Sequence, residues 1–434
     1  MIFEVNREEF IRAIRPSVEV ATKNTLKDFK YNNLLTIEAL QDKIVISAYG
    51  GTASLLSPIS DSNFGSLDYK CEEEGKTTVR ADDLLTFTQS LPNSYDHLKI
   101  SLESNQLKIS SSLNKPGGKK KFNSVRTMPV ISETVHLPNT GKKFEQEVEV
   151  DREIFVKGME SVIFAPAFEE KMYSYMCMLF EAISDKDQEL RFSAGSGGRF
   201  AVKSIKGKNI ISNAQEAKII FPKDCLGAVS KLLAEASQPF VIIKSIEADQ
   251  KNNIPEHIMI EFDEMVLCIY GLEHFTKYPD LTKIINHKYP NRIYSNLEDW
   301  VPVIKTIEGT LHGYSENIHN TKVVLEEENE IFEVTPQTTH TSPTFIDMVD
   351  VGDCVIKGEK IWFCSNSDYI REMVVQGGKR GRVQLNFESQ SILEDIPDDK
   401  PKQMKPILVK FSEDIDSVKD VISNFYMFFT VSTK

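Results

Sequence analysis

Apolar residues recur along this chain with two periods. In KIVISAYG, QLKISSS, HIMIEF, MVLCIYG, KVVLEEE, EIFEVTP and ILVKF they alternate with polar ones or form short runs bounded by Gly, Asn, Asp and Pro, as antiparallel strands and hairpins require. Other stretches carry apolar residues at helical spacing. In EVNREEFIRAI, Phe10, Ile11 and Ile14 make one stripe behind Asn6, and Asn6 with Glu9 reads as a capping box. A second kind of helix is predicted in DDLLTFTQSLP (Asp82–Pro92), KDCLGAVSKLLAE (Lys223–Glu235) and SDYIREMVVQGG (Ser367–Gly378). Each is preceded by a strand and followed by an alternating one: HLKISL, FVIIKS or RVQLNF.

These elements repeat. EVNREEFIRAI (Glu4–Ile14) returns 145 residues later as EVDREIFVKGM (Glu149–Met159), with Glu4, Val5, Arg7, Glu8 and Phe10 matched by Glu149, Val150, Arg152, Glu153 and Phe155. A further 145 residues leads to YSNLEDWVPVI (Tyr294–Ile304), where Asn296 follows Asn6 and Asp151, and Trp300 follows Phe10 and Phe155. In the second helices Leu84, Leu226 and Tyr369 lie 142 and 143 residues apart. Three domains are expected, 1–144, 145–288 and 289–434, each an α+β unit with two helices packed on antiparallel sheets. Strand edges left over at the two ends of such an array favour head-to-tail pairing.

Size agrees, because 434 residues at 41% hydrophobic and 26% charged exceed one core. A net charge of -13 excludes an overall basic coat and leaves room only for a local positive face. The six cysteines form no CxxC pair and have no paired-His spacing, so they read as reduced, mostly buried thiols, with no metal or other cofactor expected. The Gly-rich AGSGGRF (Ala194–Phe200) suggests a phosphate-binding enzyme, the alternative from a different class. Arg199, Phe200, Ala201 and Val202 nevertheless continue it as strand instead of opening a helix, and no GxxxxGK followed by Ser or Thr occurs. No Ser/His/Asp order, HExxH or spaced acidic cluster supplies catalysis. MIFEV at the start lacks a basic, then apolar, leader and no run approaches 18 apolar residues, so a soluble cytoplasmic protein without membrane contact is expected.

Three landmarks in order, MLFEA (Met178–Ala182) with LRFSAGSGGRFAVKS (Leu190–Ser204), HFTKYPDLTKII (His274–Ile285) and NFYMFFTVS (Asn424–Ser432), resemble segments of the bacterial β sliding clamp of replicative DNA polymerase. With the triple repeat, the resemblance runs over essentially the whole chain. It implies a homodimeric, head-to-tail ring that is not an enzyme, encircles double-stranded DNA without reading sequence, and tethers the replicative polymerase, the clamp loader and other clamp-binding-motif proteins. A sliding ring needs Lys and Arg facing phosphates, not base contacts. The candidates are Arg12, Arg15, Lys23, Lys27, Lys157, Lys223, Lys231, Lys305, Arg371, Lys379 and Arg380.

The resemblance also implies a peptide-binding pocket walled by Tyr175, Gly195, Gly197, Gly198, Arg199, Phe200, Pro279, Ile284, Pro406, Phe428, Phe429 and Val431. Core packing is the competing role, chiefly for Phe200 and Ile284. A subunit interface would involve Phe122 and Val125 on one side and Thr310 and Leu311 on the other. The chain departs from the family pattern where Gly198 replaces a usual His, Ser196 a usual Asp, and Thr430 and Ser432 a usual Pro and Arg. NKPGGKKKF (Asn114–Phe122) carries an insertion whose Lys119, Lys120 and Lys121 would protect a strand edge. The altered pocket and the acidic EEEN (Glu326–Asn329) and ILEDIPDDKPKQ (Ile392–Gln403) stretches also fit a clamp-like relative with changed partners.

Overall fold

A computed structural model describes residues 1–22, 33–50, 53–64, 67–91, 96–113, 121–132, 145–166, 176–183, 188–196, 198–206, 210–213, 216–246, 257–270, 278, 287–313, 320–326, 331–337, 347–355, 360–376, 382–388, 406–412 and 424–429. The chain forms two compact units. One comprises Met1–Lys157, Glu181–Glu189 and Gly207–Thr276, and the other Gly158–Phe180, Leu190–Lys206 and Lys277–Lys434. The first sequence repeat lies wholly in the first unit and the third in the second, while the middle repeat contributes to both.

In the first unit a five-stranded antiparallel sheet runs in the order Lys70–Glu73, Ile2–Asn6, His97–Glu103, Gln106–Leu113, Lys121–Pro129. A nine-stranded sheet joins strands of two repeats. Its seam is Met265–Ile269, the last described strand of the second repeat, against Ala53–Ile59 of the first. The register is Val266↔Leu56, Leu267↔Leu55, Cys268↔Ser54 and Ile269↔Ala53. The helix Arg7–Thr22 buries Phe10, Ala13 and Ile14, and Ala81–Gln89 packs beside it through Leu84. Lys223–Glu235 buries Leu226, Val229, Leu232 and Leu233.

The residues matched between repeats do matched work. Arg7 is buried and reaches across to the end of the Ala81–Gln89 helix: its Nε donates to Thr88 O (3.0 Å) and its Nη2 to Gln89 O (3.2 Å) and Leu91 O (2.9 Å). Arg152 does the same for Lys223–Glu235, donating to Leu233 O (2.8 Å), Ala234 O (3.3 Å) and Gln238 O (2.9 Å). A guanidinium thus satisfies carbonyls that a helix leaves orphaned at its C-terminus and complements the negative end of its dipole. The third repeat has buried Leu297 at this position.

The capping box expected at Asn6 is only half formed. Asn6 Oδ1 accepts the Glu8 and Glu9 N–H groups (3.0 and 3.1 Å), but the Asn6 N–H is already bonded to Leu67 O (2.6 Å). The Glu9 carboxylate turns instead to Arg12, at 2.6 Å. Asp151 caps the equivalent helix through the Ile154 N–H (2.9 Å).

In the second unit Arg199–Lys206 pairs with Asn424–Phe429, followed in order by Pro406–Ser412, Arg382–Phe387 and Asn291–Asn296. The sheet continues through Asp347–Val355, Ile331–Gln337, Asn320–Glu326 and Lys360–Asn366. Trp300, fully buried on the helix Leu297–Gly313, donates its indole N–H to Ser295 Oγ (2.7 Å). The last described strand of the third repeat therefore pairs with the second repeat just as the second pairs with the first.

Candidate functional site

Three surfaces follow from this framework. The first lies on the helices, taken in each unit by itself. Arg12 and Arg15 are exposed on Arg7–Thr22, on the side away from buried Phe10 and Ile14. Arg12 is paired with Glu9 (2.6 Å) and lies 5.7 Å from the Phe64 ring centroid. Lys231, exposed on the neighbouring helix Lys223–Glu235, pairs with Glu19, and that bond raises its pKa. Arg371 pairs with Asp368 (3.2 Å) within Ser367–Gln376. Lys157 is exposed and Lys223 half-buried. Among the described residues, no carboxylate lies within ion-pair distance of exposed Arg15 or exposed Lys305. Lys23, Lys27, Lys379 and Arg380 fall outside the described residues.

Among the described residues, the six helices of nine or more residues carry nine basic and fourteen acidic side chains, so they are not a positive lining by composition. Nine of the acidic groups sit in first turns, where the helix dipole favours them. Among the described residues, Arg15 and Lys305 are the exposed helix cations with no carboxylate at ion-pair distance.

The second surface lies in the second unit, where several candidates from distant parts of the sequence meet on one sheet. Arg199 stands opposite Phe428 and Phe200 opposite Met427, while Pro406 stands opposite Phe429 and Ile407 opposite Phe428. Phe200 is buried, and its ring packs so closely on Gly195 that a Cβ there would lie 2.1 Å from Cδ1. A side chain at Gly198 would start 2.3 Å from the Tyr369 hydroxyl. Tyr175, Gly197, Pro279, Ile284 and Val431 fall outside the described residues.

Arg199 is the centre of this corner. Its Nη2 donates to Phe164 O (2.9 Å), its Nε to Ala165 O (3.5 Å), and its Nη1 to Glu372 Oε1. The guanidinium carbon lies 5.9 Å from the Phe164 ring centroid and 5.8 Å from that of Tyr369, within cation–π range. Burial pushes the Tyr369 phenol up. Phe164, Tyr369 and Glu372 escaped the sequence reading as members of this site. The available signal was an aromatic Tyr369 at the position held by Leu84 and Leu226 in the other repeats.

The third candidate is a strand edge in each unit, each taken by itself. Lys121–Pro129, which carries Phe122 and Val125, pairs with Gln106–Leu113 on one side and with no described strand on the other. Val125 is 47% exposed. Asp347–Asp350 pairs with Ile331–Val334 and, among the described residues, has no strand on its other side. Thr310 and Leu311 lie near the end of the helix Leu297–Gly313.

Among the described residues no group of three His, Cys, Asp or Glu is placed to hold a metal, and no helix is long and apolar enough to cross a membrane. No protein-family model matches the chain, and no curated protein sequence matches it. Solved structures do. A DNA polymerase sliding clamp from Pseudomonas aeruginosa superposes with a TM-score of 0.76 at 16% identity, covering 100% of both chains. The DNA polymerase III beta chain of Streptococcus pneumoniae (TM-score 0.75) and the beta subunit of Thermotoga maritima (TM-score 0.74) match at 16% identity, each with 100% of both chains covered. Over its whole length, this chain has the fold of the bacterial DNA polymerase sliding clamps.

Proposed function

We propose that the chain is a DNA sliding clamp: a non-enzymatic, cytoplasmic ring subunit of three domains that encircles duplex DNA and tethers a replicative polymerase, a clamp loader and other clamp-binding-motif proteins. The observation that carries this reading is the strand rule at the seams. The last described strand of the second repeat pairs with Ala53–Ile59 of the first, and that of the third with Arg199–Lys206 of the second. The same rule applied once more needs Lys121–Pro129, the last described strand of the first repeat, and Asp347–Asp350, in the third. Each of those two edges lacks a partner strand on its free side among the described residues. In this reading they meet between copies, head to tail. Three repeats in each of two copies give a closed ring of six, in which both of these edges are paired.

A ring holds DNA by topology, so weak and sequence-independent phosphate contacts suffice. Arg15 and Lys305 are the strongest candidates for those contacts, with Arg12, Lys157, Lys223, Lys231 and Arg371 supporting. The sheet corner at Gly198, Arg199, Phe428 and Phe429 is the proposed peptide pocket.

Solution mass tests the seam. The wild-type chain is expected to run as a dimer, and Val125→Glu, which places a charge on the exposed edge strand, is expected to run as a folded monomer. A wild-type monomer at micromolar concentration would refute the reading.

A further inference from the structure

The two seams are built by one rule but their corners are filled differently. Ala53 pairs with Ile269 at the end of the first seam, and Arg199 pairs with Phe428 at the end of the second. On the adjoining helices, Leu226 and Val229 of Lys223–Glu235 correspond to Tyr369 and Glu372 of Ser367–Gln376, each 143 residues further on. In the first corner Val20, Ala53, Cys225, Val229 and Ile269 line a small, largely apolar cavity. In the second, Ala53 has become Arg199 and Val229 has become Glu372.

The fold is thus its own control. It can line this corner with mostly apolar side chains, yet here it holds an ion pair whose side chains are only 14% and 18% exposed. Apolar filling is commonly as stable as such a pair or more so, because both charges must give up water. Packing therefore does not explain the exchange.

What the pair does is occupy Arg199. Glu372, Phe164 O and Ala165 O take donors from all three guanidinium nitrogens, and the Phe164 and Tyr369 rings lie against the group. Tyr369 also stands where a side chain at Gly198 would begin.

We infer that Glu372 is a positioning residue that sets partner specificity: by holding Arg199 it keeps that cation from pairing with a partner's carboxylate. The corner then selects segments with apolar or aromatic anchors over acidic ones. This rests on the peptide-pocket reading above.

The test uses the full chain and two labelled hexapeptides with identical Leu, Leu and Phe anchors and one variable position, Asp or Asn, followed by fluorescence anisotropy. The wild type is expected to bind the Asn probe at least as tightly as the Asp probe. Glu372→Gln and Glu372→Ala are expected to shift the ratio toward the Asp probe by about tenfold, the worth of one charge-assisted hydrogen bond. Glu372→Asp, which keeps the carboxylate, is expected to retain the wild-type ratio. Each variant is checked for the wild-type circular dichroism spectrum, and either neutral variant suffices if the other does not fold. A ratio unchanged in a folded neutral variant would overturn the inference while leaving the pocket standing. Failure of both probes to bind the wild type would overturn both.

Discussion

Replacing Arg7 by Met isolates the helix-capping role that the internal repeat assigns to two arginines. Met keeps much of the apolar stem and removes three donors. Of the three carbonyls released, Thr88 O and Leu91 O are bonded in buried positions and Gln89 O in a partly buried one. Water reaches the last, so the loss comes chiefly from two buried acceptors at about 1–3 kcal/mol each, or about 3 kcal/mol in all. Arg152→Met removes the same chemistry from a wetter place, because two of its three bonds to carbonyls are exposed and the third partly buried. Its expected cost is about 1 kcal/mol. Hydrogen exchange of amides in Ala81–Gln89 and Lys223–Glu235, with urea unfolding of each variant, reads the two effects separately. Equal losses for both substitutions, or a loss below about 1 kcal/mol for Arg7→Met, would refute the reasoning, because burial of the acceptors would then not set the magnitude.

The same structure makes further predictions. Arg15→Glu and Lys305→Glu should each speed escape from circular DNA more than Arg12→Glu, whose parent side chain already pairs with Glu9; equal effects for all three would remove the distinction. The salt dependence of DNA retention should be shallow, because among the described helices acidic side chains outnumber basic ones, and a steep slope would count against that reading. Gly195→Ala forces a Cβ onto the Phe200 ring, with 2.1 Å available, and should cost about 1–3 kcal/mol in thermal unfolding, whereas wild-type stability would show that the corner gives way easily. Stability should fall above about pH 9. Burial pushes Cys268 up to about 11 and Cys177 and Tyr289 to about 12, and raises Cys225 and Tyr270 as well. These groups stay protonated in the folded chain while the unfolded chain loses their protons, so their contribution is complete below the unfolded values and lost as pH rises through the folded ones. A melting temperature flat from about pH 8 to 11 would contradict this.

The parts of this fold legible in the sequence are those written locally. Helix Lys223–Glu235 has the bounds that its apolar spacing predicts, and the strands after each second helix begin where the alternation begins. The identity of Arg7 and Arg152 was legible, but its reason was not, because each caps a helix end more than eighty residues away. Asn6 and Glu9 fit the pattern of a reciprocal box, yet Leu67 O and Arg12 took the partners that local spacing would have assigned. The seams were legible only as leftover edges, since pairing Ile269 with Ala53 is a tertiary fact. At the candidate pocket the motif residues could be carried over by resemblance. Phe164, Tyr369 and Glu372 could not, because what recruits them is the space at Gly198 and the charge of Arg199.

Retention on DNA of different topology tests the ring most directly. Loaded onto a nicked circular duplex, the wild-type chain is expected to remain bound through gel filtration at a salt concentration that abolishes simple electrostatic binding, and to be lost when the same DNA is cut to a linear form. Equal retention on circular and linear DNA, or none on the circle, would contradict the account.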